Sequence, residues 1–84
     1  MKYLVSFDLM TPGKNYENLT KALSDLGGKR VLYSQWILPR LNTTAAALRD
    51  HVRQFMDAND RVFVNTLDGT GWAGINLLVK PDSV

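Results

Sequence analysis

Residues 2–8 alternate. Tyr3, Val5 and Phe7 fall on one side, and Lys2, Leu4, Ser6 and Asp8 on the other, the period of two that marks a half-buried β-strand. The apolar trio should face helices. The opposite, partly polar face carries Asp8 at its C-terminal end. The period then changes. Over 15–26, Tyr16, Leu19, Leu23 and Leu26 recur on one face of a 3.6-residue helix. Lys14, Glu17, Lys21 and Asp25 decorate the other faces, with Glu17 and Lys21 in the favourable i,i+4 order. Gly27-Gly28 should end the helix, because glycine takes the left-handed C′ conformation without a Cβ clash.

The run 29–38 is rich in β-formers and long for one strand. A bend or bulge at Ser34-Gln35 would divide it into two short strands, the second ending at Pro39, which has no N–H to donate. Residues 43–57 carry a second helical stripe of Ala45, Leu48, Val52, Phe55 and Met56, with Asn42 or Thr43 as its N-cap. Asp50, Arg53 and Gln54 should face water. Asn59-Asp60 turns the chain into a strand at 61–67, with Val62 and Val64 on one face and Phe63 and Leu67 on the other. Asp68-Gly69-Thr70-Gly71 reads as a hairpin turn leading to a last strand at 72–79.

This order predicts one domain over 1–84: a ferredoxin-like α+β sandwich, βαββαβ with an extra C-terminal strand, two helices on one face of a mostly antiparallel sheet. Two helices cover one face only. Strands with apolar residues on both faces therefore leave a patch for a partner, and a homodimer is expected.

Composition narrows the chemistry. The 84 residues bury about 60–65% of the unfolded surface, and 45% apolar with 21% charged residues is ordinary for a globular domain. The absence of cysteine excludes disulfides, thiolate metal sites and a thiol nucleophile. No stretch approaches the roughly 20 apolar residues that span a bilayer, and no signal peptide is recognisable, so a cytosolic, cytoplasmic location is expected. Ten Lys and Arg against eight Asp and Glu leave a net charge of +2, small for a dedicated nucleic-acid binder.

Three segments carry a resemblance. Val5-Ser6-Phe7-Asp8-Leu9 resembles the end of the first strand in the small CRISPR-associated nuclease family that joins the spacer-integration complex. Val31-Leu32-Tyr33-Ser34-Gln35-Trp36-Ile37 is similar to that family's second and third strands, and Asn59-Asp60-Arg61-Val62-Phe63-Val64 to its approach to the fourth. Virulence-associated protein D, a toxin-type ribonuclease (VapD), belongs to the same superfamily. The whole chain resembles still more closely the short SinR-like bacterial proteins, in Asp8, Pro12-Gly13, Tyr16, Ser34 with Trp36, Asn59-Asp60-Arg61 and Trp72.

The resemblance implies a metal-dependent nuclease acting on RNA or DNA, with Asp8 from each subunit of a dimer holding Mg²⁺ or Mn²⁺. It equally implies a non-catalytic dimer that binds nucleic acid or a protein partner, as a scaffold or a toxin-antitoxin-like component. From the residues alone, Asp8 reads first as the opener of the Asp8–Gly13 turn, bonding backbone N–H groups. Lys29, Arg30, Ser34 and Arg40 are the candidate phosphate contacts, against a solvated strand edge on which Lys and Arg discourage further pairing. Tyr33 and Trp36 offer rings for base stacking but suit a core or interface equally. His51, the lone histidine, borders the buried helix stripe and reads as a boundary residue. Asp57 and Asp60 read as turn formers. No second acidic or histidine residue shares the Asp8 face of the first strand, so one chain offers an incomplete metal site. A small-molecule sensor of the ferredoxin-like regulatory type is a third reading, without a ligand-binding motif to support it.

Overall fold

β1 (Lys2–Asp8), α1 (Glu17–Asp25), β2 (Lys29–Leu32), β3 (Gln35–Leu38), α2 (Ala45–Arg53) and β4 (Arg61–Leu67) follow one another, with a 3₁₀ turn at Pro81–Ser83. These come from a computed structural model that describes residues 1–11, 16–67 and 71–84. The strands form one antiparallel sheet in the order β2-β3-β1-β4. With two helices, this is the ferredoxin-like α+β arrangement.

Alternation in β1 sets the core. Tyr3 lies opposite Leu38, and Val5 opposite Trp36 on one neighbour and Val64 on the other. Those side chains meet Leu19 and Leu23 of α1 and Leu48 and Val52 of α2 in one cluster. Val5, Leu23, Leu38 and Val52 are fully buried. The Tyr3 hydroxyl donates to the Thr43 carbonyl at 2.7 Å, which satisfies its polar end.

The helix stop at Gly27-Gly28 is a Schellman motif. The Gly27 N–H donates to Ser24 O and the Gly28 N–H to Leu23 O, while Gly27 takes φ +82°. Gly28 answers a second need. A Cβ there would overlap Leu38 Cδ2 and lie 2.8 Å from Leu23 O, so α1 could not sit this close to β3.

The run 29–38 does divide, at a turn over Tyr33–Ser34, and its bulge falls between Arg30 and Leu32. The cap of α2 is Thr44, rather than Asn42 or Thr43: its hydroxyl accepts from Ala47 N at 3.1 Å. Thr44 is the last extended residue before the helix, so its side chain reaches the third helical amide. Beyond Arg53 the chain turns, but Phe55 and Met56 still pack against the core.

The last strand expected at 72–79 does not form. Residues 71–80 contain no strand. Asn76 takes φ +56°, which interrupts an extended run, and among the described residues only the Leu78 N–H bonds to β2, at Val31 O. The segment lies across the second face of the sheet instead. With the sheet it borders an open cleft of ≈ 300 Å³ lined by Leu4, Ile37 and Leu67 and by Trp72 and Leu77. Lys2 Nζ donates to Pro81 O at 3.1 Å, and Trp72 Nε1 to Asp82 Oδ1 at 3.0 Å. The second face is therefore half covered by the chain itself. The half with Ser6, Asp8 and Phe63 stays open.

Candidate functional site

The open half is built by register. Asp8 ends β1 opposite Arg61, the first residue of β4, and Ser6 lies opposite Phe63. Cross-strand partners share a face, so Asp8, Arg61, Ser6 and Phe63 point the same way. They line a shallow concavity of ≈ 150 Å³. Arg61 Nη1 stands 3.7 Å from Asp8 Oδ2, with both side chains about two-thirds exposed. A surface pair of that kind is worth about 0–1 kcal/mol and leaves Asp8 available. On the other neighbour, Gln35 Nε2 donates to Ser6 Oγ at 3.2 Å. Phe63 is 66% exposed, unusual for a phenylalanine on a sheet.

Ser34 joins this end of the sheet. It sits in the β2–β3 turn, where its carbonyl accepts from Phe7 N at 3.0 Å, one residue before Asp8. Tyr33 beside it is 82% exposed. The other basic candidates lie elsewhere. Lys29 pairs in register with Ile37, and Arg40 follows Pro39 beyond β3. At ~3.3 Å per residue, Arg40 lies roughly 20 Å from Ser34 along the strand direction. Arg30 is opposite Trp36 on the helix side of the sheet, with its guanidinium 5.2 Å from the indole centroid, a cation–π contact. Arg30 Nε and Trp36 Nε1 are buried without partners. The structure thus places Asp8 and Ser34 at the same end of the sheet and sets Lys29, Arg30 and Arg40 apart from them.

Among the described residues the Asp8 side chain pairs with Arg61 rather than with the start of the turn after β1. That turn is held by Asp60. Its Oδ1 accepts from Met10 N at 2.7 Å and from the Tyr16 hydroxyl at 3.2 Å, and its Oδ2 accepts from Asp57 N at 2.7 Å. Thr11 Oγ1 donates to Asp57 Oδ2 at 2.8 Å. Desolvation alone would raise the Asp60 pKa and the nearby Asp57 charge adds to that, but the bonds from Met10, Asp57 and Tyr16 outweigh both and hold it below the ordinary carboxylate value. Sequence reasoning missed Arg61 as a neighbour of Asp8 and Asp60 as a tie between segments. The signal was present in Asn59-Asp60-Arg61, where a turn-forming Asp stands just before a strand.

His51 is exposed and meets Phe55 edge to face at 5.5 Å, the boundary position expected of it. Asp68-Gly69-Thr70 lies outside the described residues. Among the described residues, no group of three or more His, Cys, Asp or Glu side chains is placed to hold a metal ion. Among the described residues, no helix is long and apolar enough to cross a membrane.

Comparison with protein-family models gives a match to CRISPR associated protein Cas2 over residues 1–74. The match runs from β1 through β4, includes Asp8, Ser34 and Arg61, and ends within the segment that crosses the second sheet face. It agrees with the resemblance carried by the strand motifs and with the ferredoxin-like topology, and the chain belongs to the CRISPR associated protein Cas2 family.

Proposed function

We propose that this Cas2-family chain works as a cytoplasmic homodimer that acts on the phosphodiester backbone of RNA or DNA. Mg²⁺ or Mn²⁺ would be held between the Asp8 carboxylates of the two copies. The observation that carries this reading is the condition of Asp8. It ends β1 on the open half of the sheet, exposed and met by Arg61 at 3.7 Å, while Asp60 organises the turn behind it. Two carboxylates from two copies, with phosphate oxygens and water, make the oxygen set that a hard cation takes. A metal so bound supplies polarisation of the phosphoryl oxygen. Arg61 is placed to meet phosphate charge beside Asp8, and the Ser34 hydroxyl offers a further contact at the same end. Lys29 and Arg40 would follow the backbone at a distance without reading sequence, whereas Arg30, held against Trp36 on the helix side of the sheet, is turned away from that role.

A second reading is a non-catalytic dimer that holds nucleic acid or a protein partner. What favours it is the sparse donor set among the described residues and the Arg61 charge that a cation at Asp8 must displace.

Asp8→Asn separates the two. The amide keeps the size but removes the charge that a hard cation needs. Purified wild type and variant are compared on single-stranded RNA and duplex DNA, with Mg²⁺ or Mn²⁺ and with chelator. Light scattering should give twice the 9.4 kDa chain mass for both proteins. Weak metal-dependent cleavage, lost in Asp8→Asn, is expected. Equal cleavage by both proteins refutes the Asp8 mechanism. No cleavage by either, with binding that weakens as salt rises, establishes the second reading.

A further inference from the structure

Asp8 is the last residue of β1, and among the described residues no ladder bond holds the chain after it. What holds it is the carboxylate of Asp60. Met10, two residues past Asp8, donates its N–H to Asp60 Oδ1 at 2.7 Å. The same carboxylate belongs to the residue just before Arg61, the partner of Asp8. Its second oxygen takes the Asp57 N–H at 2.7 Å, which closes the turn between α2 and β4. The Tyr16 hydroxyl adds the segment that enters α1. Thr11, bonded to Asp57, ties the same two loops a second time. One side chain thus joins the exit of β1 to the start of β4, on either side of the Asp8–Arg61 pair.

We infer that Asp60 is the positioning residue of this site, a latch that fixes Asp8 relative to Arg61. The consequence for function rests on the reading of Asp8 given above, but the latch itself does not. Among the described residues, the charged and titratable groups facing it are Tyr16 from the segment before α1, Asp57 from the turn, Arg53 from α2 and Arg61 from β4. The two arginines line the same concavity as Asp57 and Asp60. The direction of the Asp60 shift agrees with a carboxylate held in its charged form by donors.

The test is NMR of the full chain, first without metal. Met10 and Asp57 amide signals should move together as acid is added, with one midpoint below the ordinary carboxylate range. Tyr16→Phe should raise that midpoint by removing one donor. Asp60→Asn should abolish the shared transition, because the amide that replaces the carboxylate does not titrate. At neutral pH the same variant should move the Asp8 carboxyl and Arg61 Nε signals. Separate midpoints for Met10 and Asp57 overturn the latch. Signals of Asp8 and Arg61 that stay in place in Asp60→Asn overturn the positioning role. Mn²⁺ is then added. The concentration that half-broadens the Phe7 and Leu9 amides should rise about tenfold in Asp60→Asn, the loss typical of groups that support a metal ligand. An unchanged concentration also overturns the positioning role. If wild type shows no broadening there, the metal reading of Asp8 falls, and the metal-free measurements alone decide the latch.

Discussion

Leu23→Ala is the sharpest test of how this domain is held together. Leu23 lies on the α1 face that meets the sheet and is fully buried, in one cluster with Val5, Trp36 and Leu38. Truncation removes three carbons. At about 0.8 kcal/mol per buried methylene, the transfer loss is about 2.4 kcal/mol. The cavity adds to it, because Gly28 and Leu38 are already in close contact across the α1–β3 junction and have little room to collapse. The sum falls at about 3–5 kcal/mol, within the range for buried Leu→Ala changes. A domain of this length has a total stability of about 4–13 kcal/mol, so the variant is expected to lie close to unfolding. Urea titration followed by Trp36 fluorescence measures it, since that indole is buried. The midpoint should fall by roughly 1–5 M with an unchanged slope, taking slopes of about 1–3 kcal/mol/M. Ile75→Ala is the control: Ile75 is 85% exposed and should change stability by less than about 0.5 kcal/mol. If Leu23→Ala behaved like Ile75→Ala, the packing of α1 on the sheet would be wrongly described.

Three further outcomes follow from single positions. Gly28→Ala forces a methyl into Leu38 and the Leu23 carbonyl, and thermal unfolding should show a loss of about 1–3 kcal/mol, the usual cost of overpacking. Thr44→Ala removes the bond to Ala47 N and should cost about 1 kcal/mol, whereas Thr43→Ala, at a position once expected to cap, should keep its α2 amide protection in hydrogen exchange. The Asp60 carboxyl is held below its unfolded value, so it contributes stability that is present above the unfolded value and lost as pH falls through the folded one. Urea midpoints measured across that acid window should fall for wild type and fall less for Asp60→Asn.

The order of elements was legible in the chain because periodicity is a local property. Alternation over Tyr3, Val5 and Phe7, and the 3.6-residue stripe of Leu19 and Leu23, name the buried face before any partner is known. Gly27-Gly28 names the helix stop, since few other residues accept that backbone. The sequence by itself also put Asp8 at a strand end and Asp60 in a turn. What it could not decide was which carboxylate would organise the turn after β1. That depended on bringing Met10 to within 2.7 Å of a residue about fifty positions away, a fact of strand pairing between β1 and β4. The same pairing set Arg61 beside Asp8, and the length of β3 carried Arg40 away from Ser34. The segment 72–79 is the clearest limit. Its side chains have strand propensity, but a strand needs a backbone partner along its length. Among the described residues it finds one ladder-like bond, at Val31, and sets Trp72 and Leu77 beside the sheet face while Ile75 and Leu78 stay exposed. Propensity proposes an element; a second backbone in register decides whether it forms.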